Sequence, residues 1–131
     1  MLEDLTIKNF ALLDSVYIEF SKGFTVLSGE TGAGKSILIG ALSFLLGGKA
    51  GVEQIRSGAS EASVTGTFLL PPVNNLDKLG IKKNPEGEME ARTARQWLSI
   101  HSIESEDDRI IIRRYIRDNG KSAAWIGSTP V

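Results

Sequence analysis

Hydrophobic and polar residues alternate with a period of two along the first twenty residues of the chain. In the stretch 5–8 the apolar positions are Leu5 and Ile7, and in the stretch 16–20 every second position is again apolar. Side chains of a strand point alternately to its two faces, so this pattern predicts two half-buried strands. Because only residues 9–15 separate them, we expect the two strands to pair antiparallel.

A β-prone apolar run, a glycine-rich loop and a helix-forming stretch follow in that order. The apolar run is 24–27 and the glycine-rich loop lies between Gly29 and Gly34. From 35 to 46, apolar residues cover nearly the whole circumference of a helix, which indicates a helix buried on several sides. Two glycines come directly after it, where helices commonly end. The order strand, loop, buried helix is the main organising feature of the sequence.

The second half of the chain contains further strand patterns and one weaker helix pattern. Alternation over 62–70 predicts a strand that ends at two prolines, and an apolar run inside 109–117 predicts another. The Asn-Gly pair at 119–120 is a strong hairpin signal, so we expect a returning strand over 122–126. The stretch 88–101 has sparse apolar positions and is predicted as a helix.

Residues 73–95 are predicted to form a flexible insertion. This stretch is rich in Asn, Lys, Pro and Gly, and its apolar residues follow no sustained period. Such a composition offers little apolar surface to bury in a fixed position.

Composition narrows the classes of protein to which the chain can belong. The 131 residues fit one domain, the formal charge is −1 and there is no cysteine, which excludes disulfide scaffolds, cysteine-ligated zinc clusters and thiol catalysis. The near-neutral charge argues against a dedicated basic nucleic-acid module. No stretch approaches the ~20 apolar residues of a membrane helix, and the acidic N-terminus lacks the pattern of a signal peptide. We therefore expect a cytoplasmic location and no membrane partner.

The glycine-rich loop fits the phosphate-binding pattern Gly-x-x-x-x-Gly-Lys-[Ser/Thr] at every fixed position. Glycines let the backbone approach a phosphate closely with its N–H groups, and the helix that follows directs the positive end of its dipole at the same anion. In this pattern the lysine reaches the terminal phosphates of ATP and the hydroxyl is a ligand of Mg²⁺. The predicted cofactor-binding residues are Gly29, Glu30, Thr31, Gly32, Ala33, Gly34, Lys35 and Ser36, with Ser36 as the Mg²⁺ ligand.

Hydrolysis would need more than this loop. Phosphoryl transfer also requires a second acidic group on Mg²⁺ and a residue that positions the attacking water. The usual source is an apolar strand that ends in Asp or Glu, but the run 16–20 is followed by Ser21 and the run 110–112 by Arg113. We therefore predict no catalytic residue within these 131 residues.

The loop and its flanking segments resemble the RecN family of bacterial DNA-repair ATPases, which are related to the SMC proteins. The resemblance rests on LEDLTIKNF at 2–10, FTVLSGETGAGKS at 24–36 and LLGGKA at 45–50. Further matches are IRSGA at 55–59, RRYI at 113–116 and GKS at 120–122. They cover most of the chain outside 71–103. The sequence departs from the family at 73–95, which is longer and more polar, and at 126–128, where Ile-Gly-Ser replaces Ile-Asn-Gly.

This resemblance implies an α/β fold of the P-loop NTPase class, as the N-terminal lobe of an ABC/SMC-type ATPase head. Such a lobe combines a mixed sheet, the P-loop helix and an antiparallel β-subdomain, and it would span 1–131. The implied cofactors are ATP and Mg²⁺. The implied partners are a coiled coil and a C-terminal lobe of the same protein, a second head in an ATP-sandwiched homodimer, and DNA bound through the full assembly, in a bacterial, nucleoid-associated location.

The resemblance adds three candidate contacts with nucleotide or DNA. Lys49 follows the P-loop helix, Arg56 lies in the matching segment 55–59, and Asn9 is at the end of the first strand. For Lys49, a solvated cation near the C-terminal end of a helix is an equally good interpretation, because the helix dipole favours it there. For Asn9, a structural role at the strand end is the alternative.

Arginines also gather on the hairpin 109–121. Arg109, Arg113 and Arg117 share one strand face, because their spacing is even. That face could follow the phosphates of DNA, or it could be a solvated face that nearby acidic residues partly neutralise.

Two other functions remain open from the residues alone. One is a complete small P-loop kinase, which needs its own acceptor site and a second acidic Mg²⁺ ligand. The other is a nucleotide-gated DNA- or protein-binding module of the RecF or SMC type. Both share the nucleotide-binding loop with the preferred interpretation.

Overall fold

A computed structural model of the chain describes residues 1–20, 32–49 and 51–131. Its main feature is a six-stranded antiparallel sheet, with a long helix and a shorter helix packed on one face. The strands are β1 (Leu2–Phe10), β2 (Leu13–Glu19), β3 (Glu61–Leu69), β4 (Lys82–Lys83), β5 (Met89–Glu90), β6 (Arg109–Arg117), β7 (Ser122–Ile126) and β8 (Thr129–Pro130). The helices are α1 (Gly32–Leu45), α2 (Asn75–Lys78) and α3 (Ala94–Ile100).

The strand order in the large sheet is β2-β1-β3-β6-β7-β8, and β4 and β5 form a separate two-stranded hairpin. The predicted pairing of the first two strands is confirmed, and so are β3, β6 and the returning strand β7. The turn between β6 and β7 has Gly120 at φ +86°, and the Gly120 amide donates to the Arg117 carbonyl. The β-prone run 24–27 lies outside the described residues.

The apolar face of the sheet is covered by α1 and, beside it, by α3. Ile110 and Ile116 lie on the same face of β6, because they are an even number of residues apart. Ile116 belongs to the cluster under α1 and Ile110 to the cluster under α3. The first buried cluster consists of Leu5, Ile7, Phe10, Ala41, Phe44, Leu45, Ala62, Val64 and Ile116, and the second of Leu70, Leu98, Ile103 and Ile110.

The P-loop helix α1 ends where the sequence predicts. Gly47 adopts φ +104° and donates to the Phe44 carbonyl, while Gly48 donates to the Ser43 carbonyl at 2.7 Å. This pair of bonds is the Schellman motif, which satisfies carbonyls that a helix end leaves unpaired. Among the described helices, none is long and apolar enough to span a membrane.

The C-terminal end of α1 is also bound by a side chain from the sheet. Arg114 on β6 donates from Nη1 to the Phe44 carbonyl at 2.7 Å and to the Gly48 carbonyl. Its guanidinium carbon lies 4.3 Å from the centroid of the Phe44 ring. The last turn of α1 contains no basic residue, so this arginine supplies the positive charge that a helix C-terminus favours. These contacts attach the C-terminal end of α1 to β6, a central strand of the sheet.

The predicted helix 88–101 is wrong in its first half. Met89–Glu90 forms β5 instead, and α3 begins at Ala94. The start is set by Thr93, whose side chain accepts a hydrogen bond from the Gln96 amide and caps the helix. The few apolar positions before Thr93 did not distinguish a helix from the short strand, because strand pairing depends on a partner elsewhere in the chain.

The segment 73–95 contains short helices and strands, and part of it is hydrogen-bonded to a buried polar side chain just beyond it, in α3. Gln96, which is 4% exposed, donates from Nε2 to the carbonyls of Leu76 and Leu79 and accepts from the Arg92 amide. Within this segment α2 has a capping box between Asn74 and Asp77. Hydrogen bonds from Thr93 and from the Asn74 backbone lower the pKa of Asp77. That the segment is a flexible insertion stays a prediction.

Candidate nucleotide-binding site

The phosphate-binding motif lies at the start of α1. Helix α1 begins at Gly32, so the second half of the motif, from Gly32 to Ser36, occupies its first turns. The first three motif residues, Gly29, Glu30 and Thr31, lie outside the described residues. The sequence predicts a loop as far as Gly34 and a helix from residue 35, but α1 already begins at Gly32, so the second half of the predicted loop is helical. The helix that follows the motif is the one that the sequence predicts.

The chemistry of this helix end fits an anionic ligand. The first N–H groups of a helix have no intrahelical partner and carry the positive end of its dipole. The first turn of α1 contains no acidic side chain that would compensate this charge from within the helix. Ser36 is exposed. Its hydroxyl is a hard oxygen donor, as Mg²⁺ prefers, so the residues present suit a magnesium-bound phosphate.

Asn9 has a structural role in the described residues. It adopts φ +53°, a left-handed conformation that asparagine tolerates better than most residues. Strict alternation would place Phe10 on the same face as Lys8, yet Lys8 is exposed and Phe10 is only 2% exposed. The irregular backbone at Asn9 therefore turns Phe10 into the core, where its ring lies 5.9 Å from that of Phe44.

Asn9 and Arg56 are brought together through their backbones. The Arg56 amide donates to the Asn9 carbonyl at 2.8 Å, and the neighbouring Ala11 amide donates to the Gln54 carbonyl at 2.6 Å. The Arg56 side chain forms an ion pair with Asp14 at 3.0 Å, and both side chains are substantially exposed. Exposed pairs of this kind contribute little stability, so Arg56 can exchange this partner for another anion.

Gln54 is a residue of this region that the sequence did not single out. Its Oε1 is buried and accepts no hydrogen bond from the described residues. A buried acceptor without a partner is uncommon and usually has a reason. No local pattern marks it, because its burial depends on the packing of the segment 52–56 against the end of β1. By contrast Lys49, the third candidate, is an exposed residue past the C-terminal end of α1.

The arginines of the hairpin separate into paired and unpaired side chains. Arg109 forms two hydrogen bonds with the Glu3 carboxylate, at 2.7 and 3.1 Å, and this contact raises the pKa of Arg109. Arg117 contacts Glu61 at 3.2 Å. Arg113 has no carboxylate of the described residues within 4.0 Å. The face is thus partly neutralised, but by Glu3 on β1 and Glu61 on β3. The acidic residues expected to do so form no ion pair with these arginines among the described residues; they are Glu106, Asp107, Asp108 and Asp118.

Comparison with known proteins identifies the class of domain. The AAA domain family matches residues 4–124, which is most of the chain. RecN from Treponema pallidum, a DNA repair protein, is 40% identical over 131 residues, which is all of this chain and 20% of that protein. RecN from Synechocystis is 54% identical over 123 residues, 93% of this chain and 18% of that protein. The chain thus spans about a fifth of the length of these relatives.

The solved structures agree with the sequence matches. A structure from work on ATP-driven dimerisation and DNA-stimulated activation of SMC ATPases superposes with a TM-score of 0.64 and 26% identity. The match covers 99% of this chain and 71% of that one. The expected fold class, a lobe of an SMC-type P-loop ATPase head, is confirmed. The chain belongs to the AAA domain family, and along its whole length it is similar to RecN.

Proposed function

We propose that this chain is the ATP- and Mg²⁺-binding lobe of a RecN-like ATPase that acts in DNA repair. The observation that carries the proposal is a phosphate-binding motif, complete in the sequence, whose second half forms the start of a 14-residue helix. The other end of that helix is bound by Arg114 of the sheet. Bound Mg²⁺ would neutralise charge on the terminal phosphates of ATP. The similarity to RecN proteins supports the role in DNA repair.

Each motif residue has a role within this proposal. The backbone N–H groups of Gly32, Ala33 and Gly34, together with Gly29, would donate to the phosphates, with Glu30 and Thr31 spacing the loop. Lys35 would bind the terminal phosphates and Ser36 the metal ion. Asn9 and Arg56, which meet at the end of β1, are secondary candidates for contacts with the nucleotide. Lys49 is a candidate for a contact with nucleotide or DNA.

Hydrolysis is proposed only for the full protein. The chain's own sequence offers no acidic residue at the end of an apolar strand to position water. A C-terminal lobe and a second head in an ATP-bound homodimer would supply the missing groups, and the coiled coil would join the two lobes. The dimerisation described for the SMC ATPase relative supports this arrangement. DNA would be bound by the full assembly, in the bacterial cytoplasm at the nucleoid.

Isothermal titration of the 131-residue chain with MgATP tests the first step. We expect binding, and we expect Lys35→Ala to weaken it about 10- to 150-fold, because a hydrogen bond to a charged group contributes about 1.5–3 kcal/mol. Lys78→Ala is the matched control, since Lys78 is an exposed lysine on α2. Absence of heat with the unchanged chain would contradict the proposal for this lobe. Equal affinity of the Lys35 and Lys78 variants would contradict the role of Lys35.

The alternative of a complete small kinase makes a different prediction. Such an enzyme would transfer phosphate steadily with these 131 residues alone. On our proposal, a coupled assay for ADP shows no turnover above the level of Lys35→Ala. Steady turnover that Lys35→Ala abolishes would replace the ATPase-lobe proposal with the kinase.

A further inference from the structure

The face of the sheet that α1 and α3 leave open contains a shallow cavity of about 370 Å³, here called the outer cavity. In the register of the sheet, Lys8 pairs with Ser63, Thr6 with Thr65, and Thr65 with Arg113. Directly opposed residues on neighbouring strands have Cα atoms about 5 Å apart. The side chains that line the outer cavity are those of Thr6, Lys8, Ser63, Thr65 and Arg113.

The outer cavity combines two cations with three hydroxyl groups. No carboxylate lines it, and no carboxylate of the described residues lies within 4.0 Å of Lys8 or Arg113. Arg109 and Arg117, on the same face of β6, are instead bound to Glu3 and Glu61. Lysine, arginine and hydroxyl side chains are the groups that proteins use to hold a nucleic-acid phosphate. The charge of the outer cavity is therefore complementary to a phosphodiester.

Aromatic side chains continue this surface on one side. Trp125 is the register partner of Arg113, and the Arg113 guanidinium carbon lies 5.5 Å from the centroid of the Trp125 ring. The Tyr115 ring follows, with its centroid 5.4 Å from that of Trp125, and Arg117 lies 4.8 Å above Tyr115. The two neighbouring rings, with a guanidinium group beside each, form a surface on which unpaired bases can stack.

We propose that this surface binds single-stranded nucleic acid, with a backbone phosphate in the outer cavity and an unpaired base against Trp125. A duplex keeps its bases stacked inside the helix, so it could use the cations but not the aromatic rings. The surface lies on the opposite face of the sheet from α1, and the binding needs neither ATP nor Lys35. The inference therefore goes beyond the proposed nucleotide-binding function and is tested separately from it.

The first experiment measures fluorescence anisotropy of a labelled oligothymidylate with the 131-residue chain, without nucleotide and over a range of salt concentrations. We expect salt-dependent binding, and in the double variant Lys8→Gln, Arg113→Gln we expect the slope of log K against log salt to fall by about 0.7–1.4, because each phosphate contact on a single strand contributes about 0.7. The control Lys78→Gln, Arg109→Gln removes the same charge away from the outer cavity. A control that loses as much affinity would overturn the proposal.

The second experiment follows Trp125 directly. The chain has two tryptophans, so Trp97→Phe leaves Trp125 as the only one. We expect oligothymidylate to quench its emission and a duplex of equal length to leave it unchanged. In the unchanged background, Trp125→Ala should weaken oligonucleotide binding about 5- to 150-fold, which corresponds to the usual loss of one stacked base. Because Trp125→Ala could perturb the fold, its circular dichroism spectrum is compared with that of the unchanged chain. If the two spectra differ, the quenching of Trp125 in the Trp97→Phe variant decides whether the base stacks on Trp125.

Three results would overturn the inference. These are the absence of oligonucleotide binding at low salt, tighter binding of the duplex than of the single strand, and displacement of the oligonucleotide by inorganic phosphate at equal phosphate concentration. The last result would indicate a site for free anions. Loss of ATP binding in Lys35→Ala, with unchanged oligonucleotide binding, would support the inference and leave the two proposals independent.

Discussion

Arg113 and Arg114 are neighbours on β6, yet the sheet gives them different surroundings. Arg114 faces α1, where it binds the carbonyls of Phe44 and Gly48 and covers the Phe44 ring. Arg113 faces away from α1, is exposed and contacts Trp125. Adjacent side chains of a strand point to opposite faces of the sheet. Two arginines that are one residue apart therefore differ in role: one stabilises the helix, and the other remains available to a ligand.

The same difference extends to the two faces of the sheet. The face toward α1 buries apolar side chains such as Leu5, Ile7 and Val64, and Arg114 is accommodated there because its hydrogen bonds end on helix carbonyls. The opposite face carries Thr6, Thr65 and other polar side chains that remain partly exposed. Four substitutions test this contrast, from the largest expected loss of stability to the smallest.

Arg114→Met should have the largest effect, a loss of about 2–3 kcal/mol in the free energy of unfolding. The substitution leaves the carbonyls of Phe44 and Gly48 without their charged donor and the end of α1 without its cation. Urea denaturation followed by circular dichroism measures the loss. Arg114→Lys keeps the charge but not the forked geometry, so it should retain part of the stability. An unchanged midpoint in Arg114→Met would show that Arg114 does not stabilise α1.

Gly66→Val should cost about 1–3 kcal/mol, because it overpacks the sheet under α1. A Cβ atom at Gly66 would lie 2.8 Å from Leu45 Cδ2 and 3.0 Å from a ring carbon of Phe68. The matched change on the open face is Thr65→Val, which we expect to stay within about 0.5 kcal/mol in the same urea experiment. A Gly66 variant as stable as the Thr65 variant would mean that α1 does not approach the sheet so closely.

Asn9→Ala should cost about 1 kcal/mol, since alanine adopts the left-handed conformation less readily than asparagine. Asn9→Gly should be nearly neutral, because glycine adopts it without strain. Thermal unfolding of both variants measures this difference. MgATP titration of Asn9→Gly then isolates the side chain. Unchanged ATP affinity would assign Asn9 a structural role alone, and a weakened one would support its contact with the nucleotide.

Arg113→Gln should have the smallest effect on stability, within about 0.5 kcal/mol, because the side chain is exposed and has no ion pair with the described residues. Urea denaturation of Arg113→Gln and Arg114→Met under the same conditions compares their free energies of unfolding. A loss as large as that of Arg114→Met would contradict the contrast between the two faces.

The sequence predicted much of the fold because its strongest signals are local. Alternation identified β1, β2 and β3, and an apolar run identified β6. Asn119-Gly120 identified the hairpin, since a turn depends on a few adjacent residues. It did not predict that α3 starts at Ala94, nor that residues 89–90 pair as a strand. The Thr93 side chain sets the start of α3 by capping it, and the pairing of 89–90 depends on residues 82–83, which the sequence pattern did not mark as a strand. The contacts of the motif residues 29–36 with ATP remain a prediction.

What the sequence determined by itself is the phosphate-binding motif, the helix that follows it, and the similarity to RecN. These are properties of contiguous residues, so the amino-acid sequence alone shows them. Only the tertiary structure decided that Arg114 binds the end of α1, that the conformation of Asn9 turns Phe10 into the core, and that Lys8 and Arg113 meet in one cavity. The register between strands sets these contacts, and register depends on which face of each strand is buried.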